Sequence, residues 1–238
     1  MVRSFHLDIR PDAQTQIARG IELFQQWSKI AIADRGFFSV ALSGGNTPKA
    51  FYSALAKAEM PWDKFYIFWG DERYVPHDHP DSNFRMTRET LLDRVPIPSD
   101  RVLPFPTSAG DPAIDAAAYA NTLKQVFNGE WPDFDCNLLG VGGDGHTASL
   151  FPGTDALKAN GWTTVGDKSG EPRLTLTVPA IEHSRRVMFW VNGAGKASII
   201  KTLLTESAGL PAQQIRPEGE LIWMLDVAAA AELPLVGI

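Results

Sequence analysis

The stretch 134-FDCNLLGVGGDGHTASLFPGT-154 runs from an apolar segment into a glycine-rich loop, and its reading decides the fold. Positions 140–145 spell G-x-G-x-x-G, the pattern of a dinucleotide-binding turn. That turn needs a full helix directly after it, within a βαβ unit of about 30 residues, and an acidic residue ~20 positions on. Asp167, after 162-WTTV-165, stands near that place. Pro152-Gly153, however, cuts any helix within about two turns, and an Asp-Gly-His occupies the site where backbone should approach a pyrophosphate. The NAD reading is therefore set aside. The loop reads as the end of a strand that displays Asp144 and His146, a carboxylate beside the side chain best suited to proton transfer near neutral pH. From the residues alone His146 is either a reacting group or a structural one.

Outward from this loop, strand and helix patterns alternate. Ile17, Ile21, Phe24 and Ser28 recur at helical spacing over 12–33, ending before Gly36. A strand follows at 37-FFSVALS-43, a helix from Pro48, and a strand at 65-FYIFWGD-71. A helix from Ser82 or Asn83 carries Phe84, Arg88, Leu91, Leu92 and Val95 along one side, and another runs from Asp111-Pro112 to about Phe127. Strands are predicted at 135-DCNLLGV-141, 173-RLTLTV-178, 186-RVMFWV-191 and 221-LIWMLD-226, with a helix at 196–204. Such alternation predicts an α/β fold, an open, mostly parallel Rossmann-like sheet with helices on both faces, formed by 1–238 as a single domain. Ligands of such sheets bind beyond the carboxyl ends of the strands. The polar and glycine-rich segments fall at that edge.

Three of these segments suit an anion. In 43-SGGNTPK-49, Ser43, Gly44 and Gly45 close a strand, Thr47 is placed to cap, and Pro48 opens a helix, so backbone N–H groups and a positive dipole end converge. A tight strand–helix connection would use the same residues. In 70-GDER-73, Arg73 offers a planar fork for a phosphate or an oxyanion, unless it is spent on an ion pair with Asp71 or Glu72. Lys196 in the first turn of a helix opposes the helix dipole, which favours an anion contact. His77-Asp78-His79 lacks a third partner at ligand spacing and reads as a solvated loop, so no metal is expected.

Bulk properties narrow the class. A 44% hydrophobic fraction supports a sizeable core in 238 residues, and no run of about 18 apolar residues proposes a membrane span. Asp8 and Arg10 interrupt the place of a signal-peptide apolar centre, which points to a cytoplasmic protein. A net charge of −6 argues against nucleic acid as partner but not against a small anion. The single cysteine, Cys136, lies in an apolar run and reads as a small buried hydrophobe.

Taken in order, SGGNTP, GDERYVPHDHPDSN, LLGVGGDGHTASLFPGT and VNGAGKASIIKTLL resemble the 6-phosphogluconolactonases across nearly the whole chain, within the family shared with glucosamine-6-phosphate isomerases. The resemblance implies hydrolysis of 6-phospho-D-glucono-1,5-lactone without metal or cofactor, with His146 as the base. Asp144 would orient His146, while backbone N–H groups or Arg73 would face the oxyanion. Ser43, Gly44, Gly45, Arg73, Arg173 and Lys196 are expected at the phosphate, with Asp71 in the substrate-binding set. Related deaminases carry a glutamate five residues after the histidine, where this chain has Phe151. Asn137 departs from the family, which usually has an apolar residue or a different acid there. Two rival readings are an amino-sugar phosphate deaminase and a non-catalytic sugar-phosphate sensor. Sensors carry a DNA-binding helix pair ahead of the domain, and only about ten residues precede the first helix here. Monomer and homodimer both remain open.

Overall fold

A computed structural model describes residues 5–234. Its strands are β1 (His6–Arg10), β2 (Phe38–Leu42), β3 (Phe65–Trp69), β4 (Asp71–Arg73), β5 (Cys136–Leu139), β6 (Thr163–Lys168), β7 (Glu171–Leu176), β8 (Arg186–Val191) and β9 (Glu220–Asp226). Its helices are α1 (Ala13–Arg35), α2 (Asn46–Leu55), α3 (Asn83–Thr90), α4 (Pro112–Val126), α5 (Val178–Glu182), α6 (Ala197–Thr205) and α7 (Pro211–Gln214).

Six strands form one sheet in the order β1-β9-β8-β5-β2-β3, with every neighbouring pair parallel. β2 is buried at odd and even positions alike, as a strand covered on both faces must be. From β2 the chain steps to β3 on one side. From β5 it steps the other way, to β8 and β9. The direction of winding therefore reverses between β2 and β5, and in open α/β sheets a crevice opens there beyond the carboxyl ends.

Several expectations needed correction. The strand predicted at 173–178 is β7, and it leaves the parallel sheet for a second, antiparallel one of order β4-β7-β6. Asp167, the candidate ribose acid, belongs to the β6–β7 hairpin, where its carboxylate accepts the Gly170 N–H at 2.9 Å and Ser169 and Gly170 take positive φ. No α-helix follows the glycine loop before β6. Helix α3 stops at Thr90, short of Leu91, Leu92 and Val95: Leu91 leaves the helical region at φ −130° and ψ −63°, and Pro96 holds Val95 extended after a short turn. Thr47 does not cap α2; its hydroxyl donates to the Asn192 side chain at 2.8 Å, and Gly45 is the N-cap.

Helix α1 starts at a capping box of Asp12 and Thr15 and ends at left-handed Gly36. Its buried stripe runs through Gln16, Gly20, Leu23, Phe24, Trp27, Ser28 and Ala31, so the expected Phe24 and Ser28 are buried while the expected Ile17 and Ile21 are only partly so. The Gln16 amide donates to the carbonyls of Val191 (3.0 Å) and Met224 (2.9 Å), fastening the helix to the ends of β8 and β9. At Gly20 the helix lies on Trp190, and an added Cβ would stand 2.2 Å from the indole. That indole is itself wedged against Phe51, with ring centroids 4.4 Å apart. Gly20→Ala gains ~1 kcal/mol of helix propensity. Overpacking of ~1–3 kcal/mol opposes it and wins. A lower urea midpoint is the expected result, and a stabilised variant would show that Trp190 yields freely.

Candidate active site

Gly142, Gly145 and His146 close the loop after β5 on itself. The Gly142 N–H donates to the His146 carbonyl (2.9 Å), the Gly145 N–H to the Gly142 carbonyl (3.0 Å), and the Thr147 hydroxyl to the Gly140 carbonyl (2.9 Å). The turn folds the imidazole back over Gly142, where a Cβ would lie 2.0 Å from Nδ1. Gly145 has φ of 79° and leaves no room against Leu210. The glycines spell a nucleotide motif, but their work here is to let the chain double back and present a histidine.

Nδ1 of His146 stands 2.5 Å from Oδ1 of Asp144, which also accepts the His146 backbone N–H at 3.1 Å. Burial works to raise the Asp144 pKa, but the backbone N–H and the ring of His146 outweigh it and hold the carboxyl below the usual carboxylate range. An ionised Asp144 accepts a hydrogen bond from Nδ1–H and so leaves Nε2 as the basic nitrogen. The Phe151 ring lies against the imidazole, centroids 4.6 Å apart, and is buried. Beside the loop Ala148 holds a φ of 46°, a left-handed conformation that a non-glycine residue adopts at a cost of about 1–2 kcal/mol.

A cavity of about 270 Å³ opens at the switch point. Ser43 and Gly44 from the end of β2, Asp71 and Arg73 from β4, Arg173 from β7, Lys196 ahead of α6 and His146 all line it. Sequence reasoning named each of these. Asp144 stands behind His146, and Gly45 lies outside the wall as the α2 N-cap. Asn83, Val141 and Ala148 also line the cavity and went unforeseen. Asn83 packs onto Gly44, where a Cβ would stand 1.8 Å from its Oδ1, and its amide donates to the Asp71 carbonyl at 2.9 Å. The only hint was its position at the foot of a polar loop.

The second sheet sets the electrostatics. Arg73 and Arg173 are direct cross-strand partners in the β4–β7 register. Like charges opposite one another on a sheet repel. Arg73 forms no ion pair with Asp71 or Glu72; its guanidinium donates to the Asp81 carbonyl at 2.7 Å. Glu72 instead caps α3, accepting the N–H groups of Asn83 (2.7 Å) and Phe84 (2.8 Å), the Ser82 hydroxyl (3.1 Å) and the Arg73 N–H (2.8 Å). Burial lifts the Glu72 pKa against the pull of those N–H donors. Asp71, also buried, accepts the Ser149 hydroxyl at 2.6 Å. Arg173 keeps a loose contact with Glu171 at 3.6 Å, and its buried Nε has no partner among the described residues. The Lys196 ammonium donates to the Val141 carbonyl at 2.7 Å, tying the helix start to the histidine loop.

Other singled-out residues take structural places. His77 Nε2 meets the Phe105 carbonyl at 2.7 Å and its ring packs on Phe84. Cys136 is buried, which pushes its thiol far above the ordinary value. Asn137 is fully buried in β5, and neither atom of its amide finds a partner among the described residues.

Known proteins resemble this chain over its length. It is 47% identical over 234 residues to a 6-phosphogluconolactonase of Nostoc sp., covering 95% of this chain and 98% of that one. It is 48% identical over 234 residues to one of Synechocystis sp., with the same coverage. The crystal structure of 6-phosphogluconolactonase from Thermotoga maritima superposes with a TM-score of 0.85 at 30% identity, over 94% of this chain and all of that one. A family model described as glucosamine-6-phosphate isomerases/6-phosphogluconolactonase matches residues 11–223, and to that family this chain belongs.

Proposed function

We propose that the cavity hydrolyses 6-phospho-D-glucono-1,5-lactone to 6-phospho-D-gluconate, as a carboxylic ester hydrolase of the oxidative pentose phosphate pathway. The observation that carries this reading is the convergence of His146, held by Asp144, with Arg73, Arg173 and Lys196 around one cavity. In the mechanism, Nε2 of His146 takes a proton from water as the water oxygen bonds to the lactone carbonyl carbon. The carbonyl becomes an oxyanion faced by Arg73 or by backbone N–H groups of the glycine loop, and Asp144 stabilises the imidazolium. The carbon–ring oxygen bond then breaks, and the imidazolium returns its proton to the departing oxygen. Ser43, Gly44, Arg173 and Lys196 hold the phosphate, with Arg73 beside them. The repulsion between Arg73 and Arg173 favours an occupant with at least two negative charges, which a phosphate monoester supplies. Asp71, braced by Ser149, faces the sugar ring.

On this reading the chain acts as one domain in the cytoplasm, with a small sugar phosphate as its partner rather than nucleic acid or membrane. The net charge of −6 supports the first exclusion. Among the described residues no helix is long and apolar enough to cross a membrane.

The test is acid release from freshly made phosphogluconolactone beside an enzyme-free blank, since the lactone also hydrolyses unaided. Glucosamine-6-phosphate is the control substrate. Opening an amino-sugar ring needs an acid–base partner for the histidine, and the group against His146 is the Phe151 phenyl, which carries no proton. Glu72, the first carboxylate to suspect as a substitute, is spent on the α3 cap. Glucosamine-6-phosphate therefore competes for the phosphate site but releases no ammonia. Steady ammonia release that depends on His146 would overturn the lactonase reading.

A pH profile assigns the base. Protonating His146 removes the lone pair that accepts the water proton, so kcat/KM falls with acid. Asp144, held below the ordinary carboxylate value of ~3.9, stays ionised through that range. One acid limb is expected, and it belongs to a group other than Asp144. A profile with no acid limb above the carboxylate range would remove histidine from the mechanism.

A further inference from the structure

The parallel sheet has two edges, and among the described residues one is covered and the other bare. Beyond β3 the chain returns at Val102 and Leu103, where the Leu103 N–H donates to the Ile67 carbonyl at 2.9 Å. Beyond β1 no backbone pairs among the described residues. The Arg10 carbonyl accepts the Val227 N–H, so by strand alternation the backbones of His6, Asp8 and Arg10 face β9. Those of Phe5, Leu7 and Ile9 point outward. Their side chains are exposed too, at 39%, 42% and 41%, half of the six large apolar side chains exposed among the described residues. A row of free N–H and C=O groups under an apolar strip is a template for another strand.

The surroundings leave space on both faces. Asp8 is bound by Arg19 of α1 at 3.1 Å, so the even side chains face α1, into a hollow of about 710 Å³. The odd side chains face the other way. Phe5 and Trp223, the sheet partner of Leu7, line a hollow of about 840 Å³ with Leu203, Leu221 and Ile215.

We propose that this edge pairs with β1 of a second copy of the chain, antiparallel about a two-fold axis through Leu7, making one continuous sheet across a homodimer. Charge selects the register. Centring the axis on Asp8 would set Asp8 against its own copy, and like charges directly opposite repel. Centring it on Ile9 would require an N–H from Pro11, which has none. Centring it on Leu7 sets His6 against Asp8 of the partner on one face. On the other it sets Leu7 against Leu7 and Phe5 against Ile9. All the outward groups of Phe5, Leu7 and Ile9 are then used, in about six backbone hydrogen bonds.

Sedimentation of the full-length protein at micromolar concentration is expected to give twice the chain mass of 26.1 kDa. Leu7→Lys, an exposed substitution that sets two ammonium groups on the axis, shifts the mass to one chain while lactonase activity persists. The register has its own readout. Hydrogen-bonded partners sit about 5.5 Å apart at Cα, within disulfide range, so Leu7→Cys cross-links to itself under mild oxidation. Ile9→Cys does not cross-link alone but does so when mixed with Phe5→Cys. A monomeric wild type overturns the proposal, as does a dimer that survives Leu7→Lys. Self-cross-linking of Ile9→Cys in preference to Leu7→Cys also overturns it.

Discussion

His146→Ala lowers kcat on phosphogluconolactone by about a hundredfold or more, with the circular dichroism spectrum unchanged. The magnitude is the usual worth of general acid–base catalysis, 10² to 10⁴. Structure favours a clean result, because the ring lies at the mouth of a loop whose turn is closed by backbone hydrogen bonds from Gly142 and Gly145, and those bonds do not involve the imidazole. Binding survives on this reading, since the proposed phosphate contacts come from other elements. Steady-state kinetics therefore show the loss in kcat and little change in KM. A variant within a few-fold of the parent would mean that another group takes the proton.

Arg173→Ala produces the second large effect, and it falls on one substrate. A charge-assisted hydrogen bond to phosphate is worth about 1.5–3 kcal/mol, so kcat/KM for the phosphorylated lactone drops by roughly ten- to a hundredfold. Unphosphorylated gluconolactone is hydrolysed as well by the variant as by the parent. Arg173 is the cleaner probe of the phosphate because Arg73, its cross-strand partner, also faces the proposed oxyanion, and removing Arg73 would lower both activities. Equal losses on the two substrates after Arg173→Ala would place Arg173 away from the phosphate.

The parallel sheet was legible because all its strands but β1 are largely continuous apolar runs bounded by glycine and polar loops, a signal local to each segment. The stretches 38–42, 65–69 and 186–191 needed no knowledge of their neighbours. The loop 140–146 was legible as a strand end for the same reason. The second sheet was not. β4 has three residues, Asp71–Arg73, and becomes a strand only when Glu171–Leu176 lies beside it, a pairing that no local pattern announces. Hence Arg173 could be named from resemblance but not placed opposite Arg73. Strand β1 was missed because HLDIR reads as half polar, its apolar residues being the exposed ones. Gly45 and Thr47 were assigned from the general form of a strand–helix anion site. The structure places Gly45 at the N-cap of α2, outside the cavity wall, and turns the Thr47 hydroxyl to Asn192 instead of the helix start.

The cavity at the winding reversal draws its wall from Ser43 to Lys196, and this sets the order in which activity can arise as the chain folds. Pairing β4 with β7 closes a loop of about a hundred residues, a slow, entropically costly step compared with forming any single βα unit. Until it closes, the two arginines are apart. Until β8 docks beside β5, the lysine has no loop to hold. A chain arrested before residue 196 has the histidine and an incomplete cavity wall. Regain of turnover during refolding thus reports a long-range closure of the molecule and is expected to lag the return of helix content.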